Sequence, residues 1–291
     1  MAVALSGGAD SLALTAAAVD QGWAVTALIV DHGLQRESAR VAREARSQAL
    51  AVGCQSASVL SVTVDGIGGL EAAARAVRYA ALDQARGGRP VLLAHTLDDQ
   101  AETVLLGLGR GSGGRSIAGM RPWDDPWCRP LLDVRRTETR ASCVELGLTP
   151  WEDPHNLDSR FVRVRLRHEV LPLLEQVLGG GVAEALARTA TSLQDDGNAL
   201  DQQARAVFSG SESLTISGLR DLEPAVRRRV IRLWLLAGGA QDLNDNQIRA
   251  VDALAVQWRG QGGVAVGADL PYQRLVASRS GDELVLSVQD V

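Results

Sequence analysis

Across the first 108 residues, short apolar runs alternate with amphipathic stretches of helical period. Val3–Leu5, Val25–Val30, Ser58–Val64 and Val91–Ala94 read as strands. Ser11–Gln21, Ser38–Val52, Leu70–Arg86 and Asp98–Leu108 read as the helices that follow them. This rhythm predicts an α/β fold, with a mostly parallel sheet covered on both faces. Ligands in such sheets sit beyond the carboxyl ends of the strands. Ser6, Asp31-His32 and His95 each directly follow a predicted strand, so all three are expected to face one crevice.

The first strand-to-helix connection is the most specific. Val3-Ala4-Leu5 breaks into Ser6-Gly7-Gly8-Ala9-Asp10-Ser11. Two glycines allow positive φ and close backbone approach. Loop amides and a helix N-terminus then converge on one point, which favours a phosphate or pyrophosphate. The segment is neither Gly-x-x-x-x-Gly-Lys-Ser/Thr nor Gly-x-Gly-x-x-Gly. The plainer reading is a Gly- and Ser-rich corner with Asp10 as a helix cap.

Further along, Gly109–Gly119 reads as a mobile glycine-rich loop and Pro122–Pro130 as irregular. Arg135–Leu146 reads as a helix, and Phe161–Leu178 as a helix interrupted or bent at Pro172. Gly179-Gly180-Gly181 is the best linker, and the pattern changes after it. Val182–Phe208, Leu222–Leu236 and Asn244–Trp258 are expected helices; Val264–Val266, Leu275–Ala277 and Leu284–Val288 are expected short strands. The chain is therefore expected to hold a catalytic domain over residues 1–178 and a smaller, mostly helical domain with a β tail over 182–291.

Composition narrows the class. No run approaches the roughly 18 apolar residues of a membrane span, and no signal peptide is visible. Cys54, Cys128 and Cys143 form no Cys-x-x-Cys pair, which argues against a disulfide framework, a zinc site or a cysteine-ligated cluster. A cytoplasmic location and no membrane partner follow as expectations. The net charge of −5 does not announce a nucleic-acid binder. All 30 basic residues are arginine, so phosphate contacts must come from guanidinium forks or backbone amides.

Four other segments carry chemistry. Asp31 ends the second strand, where it can hold a metal, accept a proton, bind an amine, or merely cap a turn. In His95–Thr103, Asp98 and Asp99 stand four and three residues before Glu102 and share its helix face. Carboxylates so placed beside a triphosphate suit Mg²⁺, although acids in a first turn also complement the helix dipole. Arg110 lies between glycines and can swing onto a phosphoryl group, or stand as a surface arginine. Glu152-Asp153-Pro154 precedes Arg160, Arg163 and Arg167, which share one helical face with Phe161 and Val164 turned to the core. Such a stripe fits RNA backbone; a solvated helix face is the plain alternative.

In order and spacing, these segments resemble the PP-loop ATP pyrophosphatases, and within them the tRNA(Ile)-lysidine synthetases. The match runs through Ser6–Ser11, Val30–Leu34, His95–Thr103, Gly109–Gly113, Arg129–Leu132, Glu152–Asn156 and Phe161–Pro172. The resemblance implies an adenine nucleotide alpha hydrolase-like, Rossmann-like catalytic domain followed by a tRNA-binding domain. It implies ATP as substrate and Mg²⁺ as cofactor. The wobble cytidine of an isoleucine tRNA with a CAU anticodon would be adenylated, and free L-lysine would displace AMP to give lysidine. Ser6, Gly7, Gly8, Ala9, Asp10 and Ser11 would hold the pyrophosphate end of ATP. Asp10, with Asp98 or Asp99, would hold the metal, and Asp99 counts among the catalytic acids. Arg110 would offset charge on the transferring adenylyl group. Asp31 and Asp153 would orient the lysine and take its proton, and Arg160, Arg163 and Arg167 would grip the tRNA. A homodimer is compatible with this reading.

The competing readings are a tRNA thiolase, which would commonly need paired cysteines, and a non-catalytic RNA- or nucleotide-binding protein, against which the four acid-bearing segments stand. Only five residues precede Ser6, fewer than such proteins usually carry. The first strand is therefore expected to be short and the start truncated or mis-assigned. The C-terminal region resembles the shorter form of the family, with one appended domain.

Overall fold

The structure is a computed structural model that describes residues 1–35, 37–64, 70–111, 113–268 and 272–290. Its chain divides into two compact units, residues 1–106 with 119–190, and residues 107–118 with 191–291. The glycine triplet 179–181 lies within the first unit.

The first unit begins with β1 (Ala2–Ala4), α1 (Ala9–Asp20), β2 (Thr26–Asp31), α2 (Ser38–Val52), β3 (Ser56–Ser61), α3 (Leu70–Ala85), β4 (Val91–Leu92) and α4 (Leu97–Arg110). The sheet order is β3-β2-β1-β4 and continues into two further strands. β1 pairs in parallel with β2 on one side and β4 on the other. The strand that feeds the glycine turn is therefore central.

Successive residues of the central strands β1, β2 and β4 point to opposite faces, and both faces are buried. Val3, Leu5, Ala27, Ile29 and Leu92 join one core with Leu12 and Ala45 of the following helices. Ala2, Leu28, Val91 and Leu93 join another with Leu82 of α3. This two-sided burial explains why the strands read as near-continuous apolar runs.

Three segments differ from the sequence reading. Residues 109–119 are not one loop: α4 runs on to Arg110, and α5 (Gly114–Ile117) adds a single turn, while Ser112 lies outside the described residues. Residues 122–130 are not irregular. β5 (Trp123–Asp124) and β6 (Trp127–Cys128) form a hairpin, and β6 extends the main sheet by pairing in parallel with β4. Two-residue strands are too short for periodicity to show.

The third difference follows α6 (Arg136–Glu145). The segment expected as one helix comprises α7 (Val162–Arg165), a π-helical turn over Leu166–Val170, and α8 (Leu171–Leu178). Pro172 sits in the first turn of α8, where its missing N–H leaves no helical bond unmade. The widened π turn ahead of it takes up the irregularity.

α9 (Val182–Val207) carries the chain from the first unit into the second. The second unit then has β7 (Leu214–Thr215), α10 (Ile216–Arg220), α11 (Pro224–Ala237), α12 (Asp245–Val256), β8 (Val264–Val266), β9 (Gln273–Ser280) and β10 (Glu283–Asp290). Its strands form an antiparallel sheet in the order β7-β10-β9-β8. Trp234, Ile231 and Leu235 of α11 pack with Leu254 of α12 and Leu284 of β10 in one core. Within it, Asp252 accepts from Arg227 Nε at 2.6 Å and from Arg228 Nε at 3.0 Å.

Candidate active site

Leu5 donates its amide to Leu28 O at 2.9 Å, so the sheet holds the chain until the turn begins. Gly7 then takes φ +86°, and a Cβ there would lie 3.3 Å from the Cβ of Ala45 on α2. Both the conformation and the space call for glycine. Ser11 Oγ donates to Gly8 O at 2.9 Å and lies 3.1 Å from Ser6 Oγ. The Ser6 amide donates to Ser11 Oγ at 3.2 Å. The two serines thus cross-brace the loop. Gly8 is the N-cap of α1 and supplies no side-chain cap. The amides of the first turn, Ala9 to Ser11, are left for an external acceptor, which is the geometry of an anion site.

Asp10 stands in that first turn. Thr139 Oγ1 of α6 donates a short hydrogen bond to its Oδ1, and Arg136 Nε lies 3.4 Å from its Oδ2. Burial raises the Asp10 carboxyl above its ordinary value, with Thr139 and Arg136 acting against that shift. Arg136 also binds Asp99 Oδ1 at 2.6 Å and lies 3.6 Å from Glu102. Asp99 Oδ2 accepts from the amide and hydroxyl of Thr96, each at 2.9 Å. Burial works against ionised Asp99, but Arg136 and the Thr96 amide outweigh it and hold the carboxyl below the usual range.

The acids of α4 therefore do not act alike. Asp98 Oδ2 accepts the Arg136 amide at 2.7 Å, and Arg135 approaches its Oδ1 at 3.4 Å. Asp98 caps a helix, but the helix is α6 rather than its own. Glu102 is fully buried and turned to arginines: Arg167 Nε at 2.8 Å, Arg136 at 3.6 Å and Arg163 at 3.7 Å. Among the described residues, no group of three or more His, Cys, Asp or Glu is placed to hold a metal ion. Asp10 still offers one oxygen with only a long contact, which fits an ion shared with phosphate oxygens. Asp98 has both oxygens engaged and fits less well.

Arg136, the hub of this network, was not among the sequence candidates. A signal for it existed: Arg135 and Arg136 open a helix, where positive charge opposes the dipole. Such a start calls for acids from elsewhere, and Asp98, Asp99 and Asp10 supply them.

Asp31 Oδ1 accepts the Gly33 amide at 3.0 Å, so the turn-capping reading describes its bond. Asp153 is the N-cap of a 3-10 turn over Pro154–Leu157 and accepts the His155 amide at 2.9 Å. Gln35, from the loop after β2, reaches Asp153. Four residues after Asp31, its Nε2 donates to Asp153 Oδ1 at 3.1 Å and lies 3.1 Å from His155 Nδ1. Gln35 also escaped the sequence reading.

The arginine stripe divides. Arg160 is exposed and pairs with Asp158 at 2.7 Å. Arg163 and Arg167 turn toward buried Glu102, with Arg163 also 3.3 Å from Thr103 Oγ1. Val164 is buried, as its position on the helix predicts.

Arg110 is the exposed last residue of α4 and belongs to the second unit. Its neighbourhood is tied down there. Gln194 of α9 donates to Ala118 O at 2.6 Å, and Arg115 binds Asp201 at 2.7 Å. A Cβ at Gly107 would meet Ser116 O at 1.9 Å, so residues 114–117 press directly on the α4 backbone.

Comparison with known families adds to this geometry. Residues 1–174 match the PP-loop domain model, and residues 214–284 match the TilS substrate binding domain model. The tRNA(Ile)-lysidine synthase of Rhodococcus erythropolis is 63% identical over 293 residues, covering 99% of this chain and 90% of that one. The chain belongs to the tRNA(Ile)-lysidine synthase family. The synthase of Mycobacterium tuberculosis is 64% identical over 296 residues, covering 99% of this chain and 91% of the relative.

Among solved structures, the U34-tRNA thiolase NcsA from Methanococcus maripaludis, with its 4Fe–4S cluster, aligns at a TM-score of 0.55 and 17% identity. It covers 67% of this chain and 71% of the thiolase, and the likeness is one of fold. The tRNA(Ile)-lysidine synthase family is a ligase family of tRNA modification built on a PP-loop ATP-binding domain. The thiolase alternative is not favoured.

Proposed function

We propose that this chain ligates free L-lysine to the wobble cytidine of an isoleucine tRNA bearing a CAU anticodon. The supporting observation is an uncapped PP-loop turn beside an acid–arginine network, in a chain matched over 99% of its length by a lysidine synthase. The first step forms a bond between the cytidine 2-oxygen and the α-phosphorus of ATP. The α–β P–O bond breaks, and pyrophosphate leaves. In the second step the lysine ε-nitrogen bonds to C2 and gives up a proton. The C2–O bond breaks, and AMP leaves.

Ser6, Gly7, Gly8, Ala9, Asp10 and Ser11 take the pyrophosphate end, through first-turn amides and the braced serine hydroxyls. Mg²⁺, when bound, supplies positive charge against the phosphates, and Asp10 is the carboxylate assigned to hold it. Asp98 would join only by giving up its hold on α6, and Asp99 is held ionised and oriented by Arg136. Asp31 and Asp153, the latter held by Gln35, orient the cationic lysine and accept its proton. Arg110 offsets charge on the adenylyl group.

Residues 1–178 are the catalytic domain, and residues 182–291 bind tRNA. Arg160 lies on the tRNA backbone, and the partly exposed Arg163 reaches it from beside Glu102, which Arg167 holds in place. The protein works in the cytoplasm, and a homodimer is compatible with the reading.

The test is lysine incorporation. Asp10→Ala and Arg110→Ala are each expected to abolish ATP-dependent incorporation of lysine into that tRNA while the circular dichroism spectrum stays unchanged. Wild-type incorporation by either variant sinks the role given to that residue. Pyrophosphate release that needs neither lysine nor tRNA argues against the reaction itself.

A further inference from the structure

Four buried side-chain polar atoms lack a hydrogen-bond partner among the described residues: His32 Nδ1, Arg78 Nε, His95 Nδ1 and Arg129 Nε. Buried polar groups are nearly always paired, so each exception needs a reason. All four are nitrogens, and the sheet topology gathers them. His32 follows β2, His95 lies just beyond β4, and Arg129 directly follows β6. β4 lies beside β1, and β6 lies beside β4. The three residues therefore stand at carboxyl ends of strands around the strand that feeds Ser6–Ser11. Arg78 comes from α3, whose Leu82 packs with Leu28 of β2 and Val91 of β4.

The electrostatics agree with that placement. Burial and then the nearby Arg78 push the His32 imidazole down. Burial pushes His95 down to about 4; Asp99 acts against that shift, and Arg129, Arg78 and Arg75 add to it. Arginines elsewhere around the site meet carboxylates, as Arg135, Arg136, Arg163 and Arg167 do. Arg78 has no ion pair among the described residues. Its neighbour is Tyr79, whose ring centroid lies 5.6 Å from its guanidinium carbon. Arg129 gives one N–H to Arg121 O at 3.0 Å and has no carboxylate partner among the described residues. Two guanidinium groups with no counter-charge among the described residues, beside two imidazoles, make a site suited to an anion.

We propose that Arg78, Arg129, His32 and His95 form a second oxyanion site, which takes the phosphate of the AMP half of ATP. The inference rests on the adenylating reading above. The turn at Ser6–Ser11 accounts for the two phosphoryl groups that leave as pyrophosphate. The third stays with AMP when the α–β bond breaks, and it needs donors of its own. The cluster stands at the neighbouring strand ends, where that phosphate has to lie.

The test separates the two halves of ATP. Calorimetry on the full chain measures AMP and inorganic pyrophosphate in separate titrations, for the wild type, Arg78→Gln and His32→Asn. Each variant is expected to bind AMP about tenfold or more weakly, the scale of a lost charged hydrogen bond, with pyrophosphate affinity within about twofold. Unchanged AMP affinity in both folded variants overturns the site, as does equal loss of both ligands. Weaker tRNA binding with unchanged AMP binding also overturns it and points to a tRNA phosphate instead. A wild type that binds neither ligand overturns the adenylating reading and this site together. If Arg78→Gln fails to fold, His32→Asn decides on the same measurement.

Discussion

Arg136 Nη2 lies 2.6 Å from Asp99 Oδ1, joining the start of α6 to the first turn of α4. The same guanidinium reaches Asp10 beside the glycine turn and the fully buried Glu102. One side chain thus contacts three acids from two helices. Arg136→Ala is expected to cost about 3 kcal/mol of stability, because it strands buried carboxylates. Urea unfolding of the variant against the wild type measures it. A loss under about 1 kcal/mol would show that Arg167 alone can satisfy Glu102.

Gly7→Ala tests the turn. At φ +86° an L-residue is strained by about 1–2 kcal/mol, and the added methyl meets Ala45. Pyrophosphate affinity is expected to fall by at least tenfold, because the turn must open to relieve the contact. Calorimetry with pyrophosphate reads the change, and an unaltered affinity contradicts the role of this turn.

Acid stability has a defined sign. His95 is held neutral down to about 4, whereas a histidine in the unfolded chain titrates near 6.5. Its contribution is present above about pH 6.5 and is lost as pH falls toward 4, a change on the order of 3 kcal/mol. Asp99, held below its ordinary value, adds a second loss at still lower pH. Asp10 is raised and has the opposite sign: its contribution is present at low pH and is lost as pH rises through its folded value. Denaturant midpoints from pH 7 to 4 should therefore fall steeply, and His95→Gln should flatten that slope. An equal slope in the variant assigns the loss to other groups.

Arg160 and Arg167 should separate cleanly. Arg160→Ala is expected to leave the melting curve in place and to reduce the salt dependence of tRNA binding by about one phosphate contact. Arg167→Ala is expected to lower the melting temperature, because Arg167 is the nearest partner of buried Glu102. Affinity measured across a salt series, with thermal melts of both variants, distinguishes them. A shared phenotype would contradict the division of the stripe.

The layered sheet was legible in the sequence because its central strands are buried on both faces and read as apolar runs between helical stretches. Ser38–Val52 and Val264–Val266 match their expected bounds. The hairpin at Trp123–Cys128 was not legible, since two-residue strands have no period and owe their form to pairing with β4. The site was legible by type but not by partner. Asp10, Asp99 and Asp153 stood out as acids in turns, whereas their companions Arg136, Thr139 and Gln35 lie far away in sequence. Arg163 and Arg167 read as an outward stripe because the acid that turns them inward sits on α4.

The division of the chain into two units bears on how the protein is made. Residues 107–118 leave the ribosome early, yet their compact unit is completed by residues 191–291. The segment bearing Arg110 must therefore wait until α9, with Gln194 and Asp201, has been synthesised before those partners exist. No single cut in the polypeptide separates the units, and an enzyme assembled from two expressed halves would have to restore this exchange between them.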